Sequence, residues 1–290
     1  MRTWVCLGLI ALTVVGCAPE RGPAAPTPDE HEPTIVDARS GRPVGWDPFM
    51  ADLMRAEVVY VGEQHADPRH HAVQADLVRA LHARDPSLAI GLEMIQRPFQ
   101  PALDAWVAGR IDEAELLERT EWQKRWGFDF ALYLPILAHA RAHGLPLIAL
   151  NAPGEVTRRV ARKGLDGLGA EQRAALPELD LGDDEHRALV RDALAGHGDL
   201  DEQALEQFYA AQVIWDETMA QAVAAYRARP DAAARMVVLA GAMHVLRPAI
   251  PLRAARRGAR PQRIVLPVDE AEVEAHLEQP EVHYLWVLSR

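Results

Sequence analysis

Val58-Val59-Tyr60-Val61 is an unbroken apolar run, and no other stretch constrains the fold as tightly. Side chains of a strand alternate between two faces, so a strand with one wet face carries a polar residue at every second position. A run with none belongs to a strand covered on both sides. Short runs of the same kind recur at Leu88–Glu93, Leu145–Leu150, Met236–Gly241, Ile264–Pro267 and Tyr284–Leu288, separated by segments of helical spacing. Strands alternating with helices imply crossover connections and a parallel sheet. The expected class is α/β, a mainly parallel sheet flanked by helices.

Between the third and fourth runs, residues 154–229 keep helical spacing and show no convincing strand. This predicts an inserted all-helical subdomain, with turns at Gly164–Gly169 and Gly182–Asp184 and a long last helix from about Glu202 to Arg227. The α/β domain is expected over residues 34–290.

The first sixteen residues have the order of a secretory signal: Arg2, an uncharged apolar run to Val15, then Gly16 before Cys17. The run falls short of the roughly 20 apolar residues that span a bilayer as a helix. Val14-Val15-Gly16-Cys17 resembles the lipobox of bacterial lipoproteins, which predicts cleavage before Cys17 and lipid attachment there. Five prolines between Ala18 and Pro33 then predict an extended tether over residues 17–33. Ala18 is not the aspartate associated with inner-membrane retention, so the expected location is the cell envelope, at the outer membrane facing the periplasm. With residues 1–16 removed, Cys17 is the last cysteine, which excludes an internal disulfide and a multi-cysteine metal site.

Net charge is −11, and −12 once Arg2 leaves with the signal, a field that repels nucleic acid. The one basic cluster, Arg253, Arg256, Arg257, Arg260 and Arg263, lacks interleaved aromatics and reads as a solvated helix end.

The ends of the runs carry the chemistry. The first leads into Gly62-Glu63-Gln64-His65, the second ends at Glu93, the third at Asn151, and the fourth leads into Gly241-Ala242-Met243-His244. Parallel strands gather their carboxyl ends on one edge, where α/β sheets bind ligands, so these scattered residues are expected to converge. Gly62 and Gly241 permit sharp turns and close approach there.

These segments, with Gly91-Leu92-Glu93-Met94 and Leu147-Ile148-Ala149-Leu150-Asn151-Ala152-Pro153, resemble the ChaN-like haem-binding lipoproteins, within the Tiki/TraB and erythromycin-esterase-like superfamily, over about residues 50–250. The resemblance implies haem bound between protomers of a homodimer, a tyrosine as iron ligand, and a role in iron uptake with a haem receptor or transporter as partner. Tyr133 is the candidate ligand, in the aromatic segment Trp122 to Tyr133, with Tyr209 and Tyr284 as rivals. The same segment has the spacing of core packing, since Trp126, Phe130, Tyr133 and Leu137 share a helical face.

The superfamily also contains metal-dependent hydrolases, which is the alternative function. Glu63, His65, Glu93 and His244 are an oxygen–nitrogen set suited to a divalent ion such as Zn, Mn or Co, with a free carboxylate as general base. A scaffold with a vestigial pocket is a third reading. His70 and His71 follow Pro68 and read as surface or helix-start residues. Gln212 and Asp216, four apart, share a helix face that lines the site or makes an ordinary polar contact.

Overall fold

The computed structural model describes residues 33–194, 201–278 and 281–288. Cys17, the signal and most of the tether therefore lie outside the described residues. Eight strands form one sheet: β1 (Thr34–Asp37), β2 (Arg42–Val44), β3 (Val58–Glu63), β4 (Leu88–Gln96), β5 (Leu147–Asn151), β6 (Arg235–Gly241), β7 (Gln262–Val268) and β8 (Tyr284–Val287). Their spatial order is β2-β1-β8-β7-β3-β6-β4-β5. All pairs from β8 through to β5 are parallel, and the β1–β2 hairpin adds to β8 antiparallel.

The six strands expected from apolar runs are all present. The hairpin was not anticipated, because Thr34–Asp37 and Arg42–Val44 are too short and too polar to stand out. An edge hairpin with one face toward solvent needs no continuous apolar run.

Alternation along the central strands explains why their runs are unbroken. Val59 and Val61 face one core, with Ile90, Leu92, Leu147 and Leu239, under the helices Pro68–Arg84 and Leu134–His143. Val58 and Tyr60 face the other, with Met236, Val238 and Ile264, under the helices Glu202–Arg227 and Ile250–Arg256. At roughly 25 cal/mol per Å² of apolar surface buried, two such faces supply the main drive to fold.

The helical segment between β5 and β6 comprises Gly154–Lys163, Ala170–Ala174, Asp184–Leu194 and Glu202–Arg227. Its long helix has two roles. Met219, Ala220, Val223 and Tyr226 cover the sheet, while Ala210, Ala211 and Ile214 pack on Val156 and Val160 of the first helix of the segment.

The arginine cluster is a solvated helix end only in part, with Arg256 and Arg260 exposed. Arg253 is fully buried and its guanidinium lies 3.2 Å from Glu217, Arg257 lies 2.6 Å from the same carboxylate, Arg256 pairs with Asp180, and Arg263 pairs with Asp52. A charge enters a core only with a counter-charge, and Glu217 is a partner that sequence distance hides. Among the described residues no helix is long and apolar enough to cross a membrane.

Candidate functional site

The register between β3 and β6 places Glu63 beside Gly241, and Leu92 of β4 lies beside Leu239 of β6. Three carboxyl ends therefore meet at the middle of one edge. The helix after β3 covers one face and the helices after β6 cover the other, the arrangement that leaves a crevice between neighbouring strand ends. Strand alternation then sends Glu63 to the face of Val59 and Val61, and Glu93 to the opposite face.

On the first face, Glu63 Oε1 accepts a hydrogen bond from the Tyr133 hydroxyl at 2.8 Å and contacts His65 Nδ1 at 2.9 Å. Glu63 Oε2 and His71 Nδ1 face each other at 3.6 Å, with no hydrogen-bond partner among the described residues. The other His71 nitrogen, Nε2, donates to the His65 carbonyl at 3.1 Å. Burial works to raise the Glu63 carboxyl, but the His65 bond, His71 and Tyr133 outweigh it and hold it below its ordinary value. Burial works to lower His65, and the bond to Glu63 with the charges of Glu93 and Glu63 overcomes this and raises it.

On the second face, Asp216 in the long helix takes His244 Nδ1 at 2.6 Å on one oxygen and His186 Nε2 at 2.7 Å on the other. His244 Nε2 is 3.5 Å from Glu93 Oε1, and Glu93 Oε2 accepts the Gly241 N–H at 2.6 Å. Burial opposes the charge on His244, but Glu93 and Asp216 raise it to about 9. Burial likewise opposes Asp216, and the two histidines lower it to about 2.

Both glycines are needed here for space. A Cβ on Gly241 would lie 2.8 Å from His65 Cε1, and one on Gly62 would lie 2.6 Å from Leu266 Cδ1 and 2.9 Å from Val245 Cγ2. His65 packs edge-on against Trp126, with centroids 4.6 Å apart, and lies tilted against Phe128 at 4.9 Å. A cleft of about 630 Å³ opens at the ends of β4 and β5, lined by Arg97, Pro153, Glu155 and Thr218 among others.

Glu63, His65, Glu93 and His244 thus stand at one edge, as four pairwise-engaged groups. Among the described residues, the group of three whose ligand atoms all lie within 4.8 Å of one another is His82, His139 and His143, elsewhere in the fold. Tyr133 has no exposed surface. Its hydroxyl donates to Glu63 and accepts from Trp126 Nε1 at 3.0 Å, and burial with the Glu63 charge raises its pKa far above an ordinary phenol's. Tyr209 donates to the Asp183 carbonyl and Tyr284 to Asp52, and all five tyrosines are buried.

His70 and His71 do start a helix, Pro68–Arg84, but both are buried and not surface residues. Asn151 is buried and bonds the N–H of Ala152, a strand-end cap apart from the histidines. Asp216 is part of the site, whereas Gln212 is buried with an unpartnered Oε1. His186 carried no sequence signal. It lies in the helical segment, and only the fold brings it to Asp216.

The family described as "Haem-binding uptake, Tiki superfamily, ChaN" matches residues 49–253. The chain is similar to the Campylobacter jejuni protein in the structure "Cofacial heme binding to ChaN", with a TM-score of 0.71 and 18% identity over 90% of this chain and 98% of that one. An erythromycin esterase, EreC, is similar at a TM-score of 0.49 and 16% identity, over 81% of this chain and 77% of that one. Among curated proteins, RETICULATA-RELATED 5, a chloroplastic protein of Arabidopsis thaliana, is 27% identical over 81% of the chain, which spans about a third (34%) of that protein.

Proposed function

We propose that this chain, which belongs to the ChaN family of haem-binding uptake proteins in the Tiki superfamily, binds haem at the carboxyl edge of its sheet with His65 as the iron ligand. The observation that carries this reading is the state of the donors. Every phenol is buried and hydrogen-bonded inside the protein, which favours a histidine over Tyr133, Tyr209 or Tyr284 as the ligand. His65 is part-exposed, with 30% of its side chain accessible, and Glu63 orients it through Nδ1. Its Nε2 makes no hydrogen bond among the described residues and is not among the buried unpartnered atoms, while Trp126 and Phe128 offer aromatic surface beside it. A carboxylate on one imidazole nitrogen makes the other a better ligand to a metal, and an axial histidine suits haem iron. When bound, haem would supply an iron centre for transport or storage of the group itself.

Titration of the full chain in mild detergent with hemin, followed at the Soret band, is expected to saturate, and His65→Ala is expected to weaken binding at least tenfold while Tyr133→Phe leaves it near wild type. A spectrum that never saturates, or the reverse order of the two variants, rejects the reading.

The finer part of the proposal is location and partners. The lipobox-like Val14-Val15-Gly16-Cys17 and the proline-rich tether support a domain lipid-anchored in the envelope, at the outer membrane, that passes haem to an uptake system and pairs with a second copy around it. Palmitate labelling lost in Cys17→Ser is the expected outcome.

A second reading rests on the pair of histidines flanking Gly241. His244 is held as an imidazolium by Asp216 and Glu93, and His65 is backed by Glu63, a donor and an acceptor suited to hydrolytic proton transfer without a bound metal. Ester or peptide hydrolysis that vanishes in both His65→Ala and His244→Gln, in protein free of haem, would favour it.

A further inference from the structure

The opposite edge of the sheet holds a second histidine cluster that the strand-end chemistry does not use. The helix Pro68–Arg84 leads into β4 and the helix Leu134–His143 leads into β5, so both end at the amino edge of these strands. His82 lies in the last turn of the first. His139 and His143, four residues apart and therefore on one face, lie in the second. His82 Nδ1 is 3.0 Å from His139 Nε2, and the three rings pack with centroids 4.5 to 5.0 Å apart.

We infer that His82, His139 and His143 form a three-histidine site for a divalent first-row metal ion of the Zn²⁺ type. One ligand atom from each ring lies within 4.8 Å of the other two. Nitrogens bound to a tetrahedral zinc at 2.0–2.1 Å sit about 3.4 Å apart, so small ring rotations close the set. His82 and His139 are partly exposed and His143 exposed, which gives an ion a route in and leaves a fourth position for water. His82 and His143 lie in the last turns of their helices, where the partial negative charge of a helix C-terminus favours a cation.

A hydrogen bond between neutral rings accounts for His82 and His139 alone. It does not account for His143 packing on both. The site is separate from the haem reading, since it lies at the other edge of the sheet and shares no residue with it.

The test is a Zn²⁺ titration of the full chain against a chromophoric chelator, with Co²⁺ absorption as a second readout. One equivalent is expected to bind and to give the intense visible bands of four- or five-coordinate Co²⁺. His82→Gln, His139→Gln and His143→Gln should each weaken binding at least about tenfold, the triple variant should abolish it, and His65→Ala with His244→Gln should leave it intact. Circular dichroism of each variant identifies those that fold, and only these are scored. Failure of the wild type to bind Zn²⁺ overturns the proposal. So does binding that survives in the triple variant, or that disappears in the strand-end variant.

Discussion

At the carboxyl edge of the sheet each clustered imidazole faces a carboxylate: His65 and His71 face Glu63, His244 faces Glu93 and Asp216, and His186 faces Asp216. At the amino edge His82, His139 and His143 face one another. The same side chain is therefore driven in opposite directions, His244 up to about 9 and His139 down to about 4, each against the ordinary 6.5. His65 and His244 are held toward the protonated form, and His82 and His139 away from it. The difference comes from partners that the fold supplies, because burial alone would lower both.

The comparison breaks first at Asp216. Asp216→Asn removes the one charge shared by two buried histidines, and we expect a loss of about 3 kcal/mol in chemical denaturation, the scale of removing one partner from a buried pair. No comparable loss is expected for His143→Ala, whose side chain is exposed.

pH sharpens the same contrast. The folded value of His244 lies above its unfolded value, so its contribution is complete below pH 6.5 and is lost as pH rises through about 9. Asp216 is depressed, so its contribution is complete above pH 3.8 and is lost as pH falls through about 2. Melting temperature should therefore decline from pH 6.5 to 9 in the wild type, and that portion of the decline should disappear in His244→Gln. An unchanged slope in the variant would remove His244 as its source.

Tyr133→Phe strips one hydrogen bond from a buried carboxylate and should cost about 1–3 kcal/mol. The smallest effect belongs to the amino edge. Burial is the first cause that lowers His139, and the His143 ring is the second, so His143→Ala should raise the His139 titration in an NMR pH series.

How much of this was legible depended on range. Val58-Val59-Tyr60-Val61 declared a doubly covered strand, and the residues after each run declared the edge, because parallel strands carry local patterns to one place. Glu63, His65, Glu93 and His244 could be named for that reason. Asp216 and His186 meet across 30 residues in the helical segment, and Arg253 meets Glu217 across 36, with no local period to announce either pair. His71 follows Pro68 like any first-turn residue, and its burial depends on where Tyr133 packs, at a ring separation of 4.5 Å. The aromatic spacing from Trp126 to Tyr133 suited a core as well as a haem wall, and burial places Tyr133 in the core while Trp126 and Phe128 are only partly buried.

The central claim is that a nitrogen of His65 binds the iron at the carboxyl edge, and resonance Raman spectroscopy of the ferric and ferrous haem complexes tests it most directly. We predict an iron–imidazole mode that shifts on ¹⁵N-histidine labelling and is lost in His65→Ala, with no iron–phenolate bands. Phenolate bands in the wild type that vanish in Tyr133→Phe would contradict it.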